Sequence, residues 1–291
     1  MTQLVALHLF VEDFGGQEPF TSLASATSLQ QLDLTVGAIG DPSPLSALTG
    51  LSSLKISSFQ VEDDDETPFN LSSLQPLSTM QQLEVLDLGA AAFTATSLQG
   101  LAGLSNLKNL DIFPCGGDGG TLRSLEGISP SVTQLLIGYA PELTSLVGME
   151  GCTGLEELIL KNSNIHSLQP LRGLSSLKQV MLSDGRLTSL EGLKSMSLQS
   201  LSLLKCSSLI HLSGIEHLSA LKSLAVEHCG VTSLQPLSQL GEGLQKLRVS
   251  SCTNLQEEVL ELPHVQPTAN VVVRDSNIKE VVLAGGLRRA V

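Results

Sequence analysis

The chain of 291 residues carries a formal charge of −13 at pH 7, with 42% hydrophobic and 15% charged residues. That excess of carboxylates argues against nucleic acid or an anionic membrane as the main partner, and the apolar content marks a folded chain rather than a disordered one. No run approaches the roughly 18 apolar residues that a membrane-spanning helix needs.

Along the chain one motif returns. L-x-x-L-x-L ends at Leu9, Leu34, Ile56, Leu88, Ile112, Ile137, Leu160, Leu182, Leu203, Val226, Val249 and Val273, in steps of 21 to 25 residues with one step of 32. Twelve matches in register define a repeat array of about twelve repeats, which predicts a single domain over residues 1–291 and leaves no room for a separate catalytic one. The opening, MTQLVALHLF, has no basic n-region and its apolar residues fit a strand, so no signal peptide is expected. The first rung is expected to lack an upstream cover, and the irregular stretch from Phe10 to Phe20 is expected to fold over its edge. The long step holds Glu62-Asp63-Asp64-Asp65-Glu66, which cannot pack and predicts a solvated loop insertion near 61–69. A calcium loop is the alternative, but the glycine-turned spacing of an EF-hand is missing.

The clearest repeat is residues 155–182, LEELILKNSNIHSLQPLRGLSSLKQVML. Its strand alternates, so Leu158 and Leu160 point one way and Ile159 the other. So short a strand cannot bury its apolar face alone; stacked on copies of itself it makes a parallel sheet over a continuous core. The return path, Ile165, Leu168, Leu171, Leu174 and Leu177, has an apolar period of three. That period predicts 3₁₀ turns or an extended arc. Pro76, Pro170 and Pro236 share one register in S-L-Q-P-L, where a first-turn proline does little harm. At the far end Ile278, Val281 and Leu283 repeat the strand signature only ten residues after Val273, which predicts a C-terminal cap near 275–291 ending in a loose tail, Arg288 to Val291.

On these residues the chain resembles the leucine-rich repeat family over essentially its whole length. The S-L-Q-P-L-x-x-L-x-x-L phrasing is similar to the short repeats of internalins and of the phosphatase-regulating nuclear subunit of that family. The resemblance implies an α/β-type repeat solenoid: a leucine-rich repeat horseshoe with a parallel β-sheet on the concave face and 3₁₀, short helical or extended segments on the convex face. It also implies a non-catalytic protein-binding scaffold or adaptor with no cofactor, a phosphatase-regulating role being one concrete version. The cysteine-rich flanking caps of secreted members are missing, as is any appended kinase, ubiquitin-ligase or nucleotide-binding domain. The partner's identity does not carry over.

Candidates for chemistry are few. Three positions past the strand end stand Cys115, Cys206, Cys229 and Cys252, with Ser163 in the clearest repeat. A metal or redox cluster with His228 is one reading, but a buried structural ladder accounts for them better, because cysteine is small and donates weakly to a carbonyl. Adjacent rungs are close enough for disulfides, yet their side chains should point in parallel rather than at each other. Cys152 occupies a leucine position and reads as core. The glycines of 116–120 lack the Lys-Ser or Lys-Thr of a phosphate loop. The histidines show no metal-ligand spacing, and no Gly-x-Ser-x-Gly elbow exists. Five cysteines without paired spacing favour a reducing compartment, cytoplasmic or nuclear, where the sequon Asn70-Leu71-Ser72 would be accidental. A secreted or surface-exposed recognition protein of internalin-like type is the alternative.

The position between the last two apolar residues of each strand forms one column: His8, Asp33, Lys55, Asp87, Asp111, Leu136, Ile159, Met181, Ser202, Ala225, Arg248 and Val272. Its middle, Leu136, Ile159 and Met181, is apolar where water is expected, and Phe113, Tyr139 and Leu204 join it from neighbouring columns. Asp87 and Asp111 flank one side; Lys246, Arg248 and Arg274 flank the other. An apolar centre with charged ends suits a protein interface. Strand propensity alone would also place such residues there.

Overall fold

The computed structural model describes residues 4–11, 23–36, 43–58, 70–93, 95–114, 121–193 and 197–291. The acidic stretch 61–69, the segment 12–22 and Cys115 with its glycines lie outside the described residues. The chain forms two compact units, residues 1–143 with 147–152 and residues 144–146 with 153–291.

In the first unit β1 (Ala6–Val11), β2 (Gln31–Val36) and β3 (Ser53–Ser58) lie side by side and parallel. A two-residue β4 (Asn70–Leu71) pairs with the end of β5 (Val85–Phe93), which joins β3 to β6 (Asn109–Pro114) and then β7 (Gln134–Gly138). β5 bulges between Gly89 and Ala91. In the second unit β8 (Glu157–Lys161), β9 (Gln179–Ser183), β10 (Ser200–Leu204), β11 (Ser223–Glu227) and β12 (Lys246–Ser250) run parallel in chain order. β13 (Val259–Glu261) leaves that sheet, β14 (Asn270–Arg274) completes it, and β15 (Glu280–Val282) and β16 (Arg288–Ala290) follow.

The inner strands bury alternate residues, as in β8, where Leu158 and Leu160 are sealed and Ile159 is half-exposed, whereas Leu7 and Leu9 of β1 are only half-buried. The return path explains the period of three. Leu171, Leu174 and Leu177 donate their amides to Leu168, Leu171 and Leu174 at 2.9, 2.9 and 3.2 Å. Leu77, Met80 and Leu83 do the same from Leu74 onward, each at 3.0 Å. An i→i−3 bond repeats every third residue, so one residue in three, a leucine or methionine, both faces the core and holds the backbone turn. Pro76, Pro170 and Pro236 sit in the first turn of the 3₁₀ segments Gln75–Thr79, Gln169–Gly173 and Gln235–Gln239, where no donor is lost.

Where proline is absent the same register holds Gly100, Gly127, Gly148, Gly192 or Gly214, each with φ between 86° and 108°. These glycines press on the preceding turn: a Cβ on Gly100 would lie 2.5 Å from the Leu74 carbonyl oxygen. Immediately after each strand of its main sheet the second unit has a further left-handed column, Asn162, Asp184, Lys205, His228, Ser251 and Asp275, with φ from 49° to 58°. Tyr139 holds this position in the first unit, φ 55°. The left-handed turn aims the amide sideways, so Asp184, Lys205 and His228 donate to the next rung at Leu204, Glu227 and Ser250, at 2.9, 2.8 and 2.9 Å. Asparagine and aspartate tolerate that conformation; lysine and histidine are held there by the ladder.

The tail corrects an expectation. Arg288–Ala290 is a paired strand, not a loose end: β16 runs antiparallel to β15, whose other edge pairs in parallel with β13. Gly285 and Gly286, at φ 73° and 76°, reverse the chain, and Arg288 meets Glu280 at 2.8 Å. Ile278, Val281 and Leu283, in and beside β15, are buried. The Gly-Gly pair between V-V-L and L-R-R was the available hairpin signal.

Gly100→Ala should therefore destabilise the protein by about 2 kcal/mol in urea denaturation. Gly103→Ala, where an added Cβ meets nothing within 4 Å, should stay within about 0.5 kcal/mol of the parent.

Candidate functional site

The candidate residues fall in both units. In the first, the column forms in the expected register, His8–Asp33–Lys55–Asp87–Asp111–Leu136. Its charges largely pair along the sheet: His8 Nδ1 lies 2.9 Å from Asp33 Oδ2, and Lys55 Nζ lies 3.4 Å from Asp87 Oδ2. Asp87 is thus partly neutralised by its neighbour rather than standing as an open acidic flank. Asp111 and Leu136 are adjacent and half-buried. The Phe113 ring lies over Gly138, where an added Cβ would come 2.5 Å from ring Cε1; the missing side chain on β7 makes room for it. Tyr139, next in the chain, stands 54% exposed at its left-handed turn.

In the second unit Ile159 and Met181 are cross-strand neighbours, followed by Ser202, Ala225, Arg248 and Val272. Ile159, Met181 and Leu204 are each half-buried, so they contribute some packing while leaving an apolar surface open. Leu204 sits between Ser183 and Glu227 on the adjoining column. Lys246 and Arg248 are exposed on β12, with Arg248 Nη1 3.8 Å from Glu227 Oε1. The structure thus joins Ile159 to Met181 and Asp111 to Leu136. The left-handed column that ends each strand was not anticipated, because Lys205 and His228 are not residues that announce it.

The cysteines behave as packing groups with a weak donor. Cys206, Cys229 and Cys252 are buried, and each thiol reaches two main-chain carbonyls. Cys252 Sγ, for example, lies 3.5 Å from both Val226 O and Ser250 O. Cys152 is sealed in the core, its Sγ 3.6 Å from Ser129 O. Cys206 and Cys229 lie on successive rungs, and their thiols are aimed at main-chain carbonyls. Gly230 follows Cys229, where any side chain would collide with the Ser207 carbonyl. The Cys206 thiol, together with burial, pushes Cys229 up, while the Cys229 thiol holds Cys206 below the usual thiol value. Burial pushes Cys152 and Cys252 up to about 11.

Comparison with known proteins places this architecture. No family model matches the chain, and no curated protein matches it. Among solved structures it is similar to an internalin (inlF) from Listeria monocytogenes, at 18% identity and TM-score 0.53, over 90% of this chain and 76% of that one. It is similar to the functional domain of InlJ from Listeria monocytogenes, which includes a cysteine ladder, at 16% identity and TM-score 0.55, over 96% of this chain and 65% of that one. It is also similar to the ectodomain of the Arabidopsis receptor kinase HAESA in complex with an IDA peptide hormone, at 18% identity and TM-score 0.65, over 92% of this chain and 44% of that one. The chain spans less than two thirds of the InlJ and HAESA chains. The fold is that of a leucine-rich repeat protein: parallel strands on one side of the repeats, with 3₁₀ turns on the other side of several of them.

The raised thiol values set a pH dependence. A buried thiol stabilises the fold fully below its ordinary value of 9.0 and loses that contribution as pH rises through about 11. Stability should therefore fall across that window. Cys252→Ser, whose hydroxyl can reach the same carbonyls, should remove about 1–2 kcal/mol of the fall, measured by denaturation at pH 8 to 11.

Proposed function

We propose that this protein is a non-catalytic scaffold that binds a polypeptide partner through the exposed strand faces of its repeats. The observation that carries the reading is the Ile159–Met181 pair, two large apolar side chains side by side on a solvent-facing column with Leu204 beside them. Lys246 and Arg248 supply positive charge further along the same sheet. Partly exposed anchors with charged surroundings suit a surface that buries its apolar centre on binding and orients its partner electrostatically. In the first unit Leu136, Phe113, Tyr139 and Asp111 form a comparable cluster of apolar and acidic groups. The HAESA ectodomain, a structure of the same fold, was solved with a peptide hormone bound, which supports a polypeptide as the ligand class. Four free thiols among the described residues support a reducing, cytoplasmic or nuclear setting.

Two sets of substitutions test each face separately: Ile159→Thr with Met181→Gln and Leu204→Gln, and Leu136→Ser with Asp111→Asn. Each set should leave a cooperative fold, losing about 1 kcal/mol per half-buried side chain. A partner captured by the parent protein and identified by mass spectrometry should lose about 2 kcal/mol or more of affinity when its anchor residues are removed. Full affinity in both variants would eliminate the strand faces as the binding surface.

A further inference from the structure

On the turn side of the second unit, away from the strand face, lies a groove of about 790 Å³. Gln235, Pro236 and Gln239 of the 3₁₀ segment line it, together with Val259 and Glu261 of β13. Here the last repeat departs from the others. Val259 stands at the register that holds Pro236 one repeat earlier, and an extended strand replaces the 3₁₀ turn.

That strand has an open edge. Its partner β15 takes the main-chain groups of alternate residues: Glu280 N donates to Glu258 O at 3.3 Å and Leu262 N donates to Val282 O at 2.7 Å. In a parallel ladder the intervening residues, Val259 and Glu261, must then turn their N–H and C=O groups the other way, toward the groove. Neither residue has a further main-chain partner among the described residues, and both are exposed. Solvated edges of this kind are templates for an added strand.

The groove also has a sign. Its lining holds two carboxylates, Glu257 and Glu261, with His211 as the only other titratable group and no lysine or arginine. Glu257 Oε1 accepts from Ser233 Oγ and from Leu234 N, the latter at 3.2 Å. Its Oε2 is shut off from solvent with no hydrogen-bond partner. A carboxylate held this way carries charge that a nearby cation would offset.

We infer that this groove binds an extended peptide segment of a partner protein, which adds a strand to the open edge of β13 and places a lysine or arginine beside Glu257 and Glu261. Main-chain bonds to Val259 and Glu261 give the affinity; the carboxylates select the basic side chain. The site is independent of the strand-face reading above and does not require it.

The test uses the full chain and two fluorescent pools of blocked pentapeptides, one with lysine and one with glutamate fixed at the centre and β-branched residues varied around it. Fluorescence anisotropy should show saturable binding of the lysine pool and none of the glutamate pool. Val259→Pro removes the edge donor without touching the β15 ladder, and earlier repeats already hold proline in that register. It should weaken binding about tenfold or more, as should Glu261→Lys. Ile159→Thr with Met181→Gln should leave peptide binding unchanged, which separates this site from the strand face. No saturable binding of the lysine pool would overturn the proposal. So would equal affinity in the Val259→Pro variant. Concentration-dependent dimerisation of the parent chain that Val259→Pro abolishes, seen by sedimentation, would also overturn it by making a second copy the occupant.

Discussion

A five-residue strand with two inward side chains cannot exist in water alone, and every other feature of this molecule follows from how neighbouring rungs supply what each one lacks. Leu158 and Leu160 are sealed only because equivalent pairs lie on the next strand. On the return path the leucines at every third position do two tasks at once, filling the core and closing i→i−3 hydrogen bonds. Burial and backbone satisfaction thus share one period, so a single substitution at these positions disturbs both.

Close stacking sets a second demand. Strand spacing is about 4.8 Å, and the turns behind the sheet must stack on one another as well. One register meets this with Pro76, Pro170 and Pro236, which start a tight turn, or with glycines whose positive φ and missing Cβ let the chain press on the turn before it. The left-handed residues after each strand act the same way at the other corner, sending one amide across to the next rung. The thiol column sits immediately behind them, where a small side chain able to donate weakly fits and a leucine would not.

Against this uniform interior, the outward positions are free to differ, and they do. The first unit spends its column on cross-strand charge pairs, His8 with Asp33 and Lys55 with Asp87. The second offers Ile159 and Met181 and then turns basic at β12. Because side chains alternate across a strand, surface chemistry here varies without any change in the core. That separation is what suits a repeat fold to recognition. The last repeat extends the principle to the other side, where an altered turn leaves an acidic groove beside an unpaired strand edge.

The repeat register, the twelve strands of the main array, the 3₁₀ turns at S-L-Q-P-L and the alternation of inward and outward residues along those strands were legible in the sequence. They are set by local periodicity, which every rung repeats. The adjacency of Ile159 and Met181 followed from that register alone. What the sequence left undecided was contact between elements. The pairing of Lys55 with Asp87, and the ring of Phe113 over Gly138, depend on how closely two rungs approach. The left-handed backbone at Lys205 and His228 is imposed by the hydrogen bond each makes to its neighbour rather than by its own preference. The pairing of Arg288–Ala290 with β15, and the open edge of β13, were likewise decided only by tertiary structure. Whether a strand edge is covered depends on where the chain returns, and no local pattern encodes that.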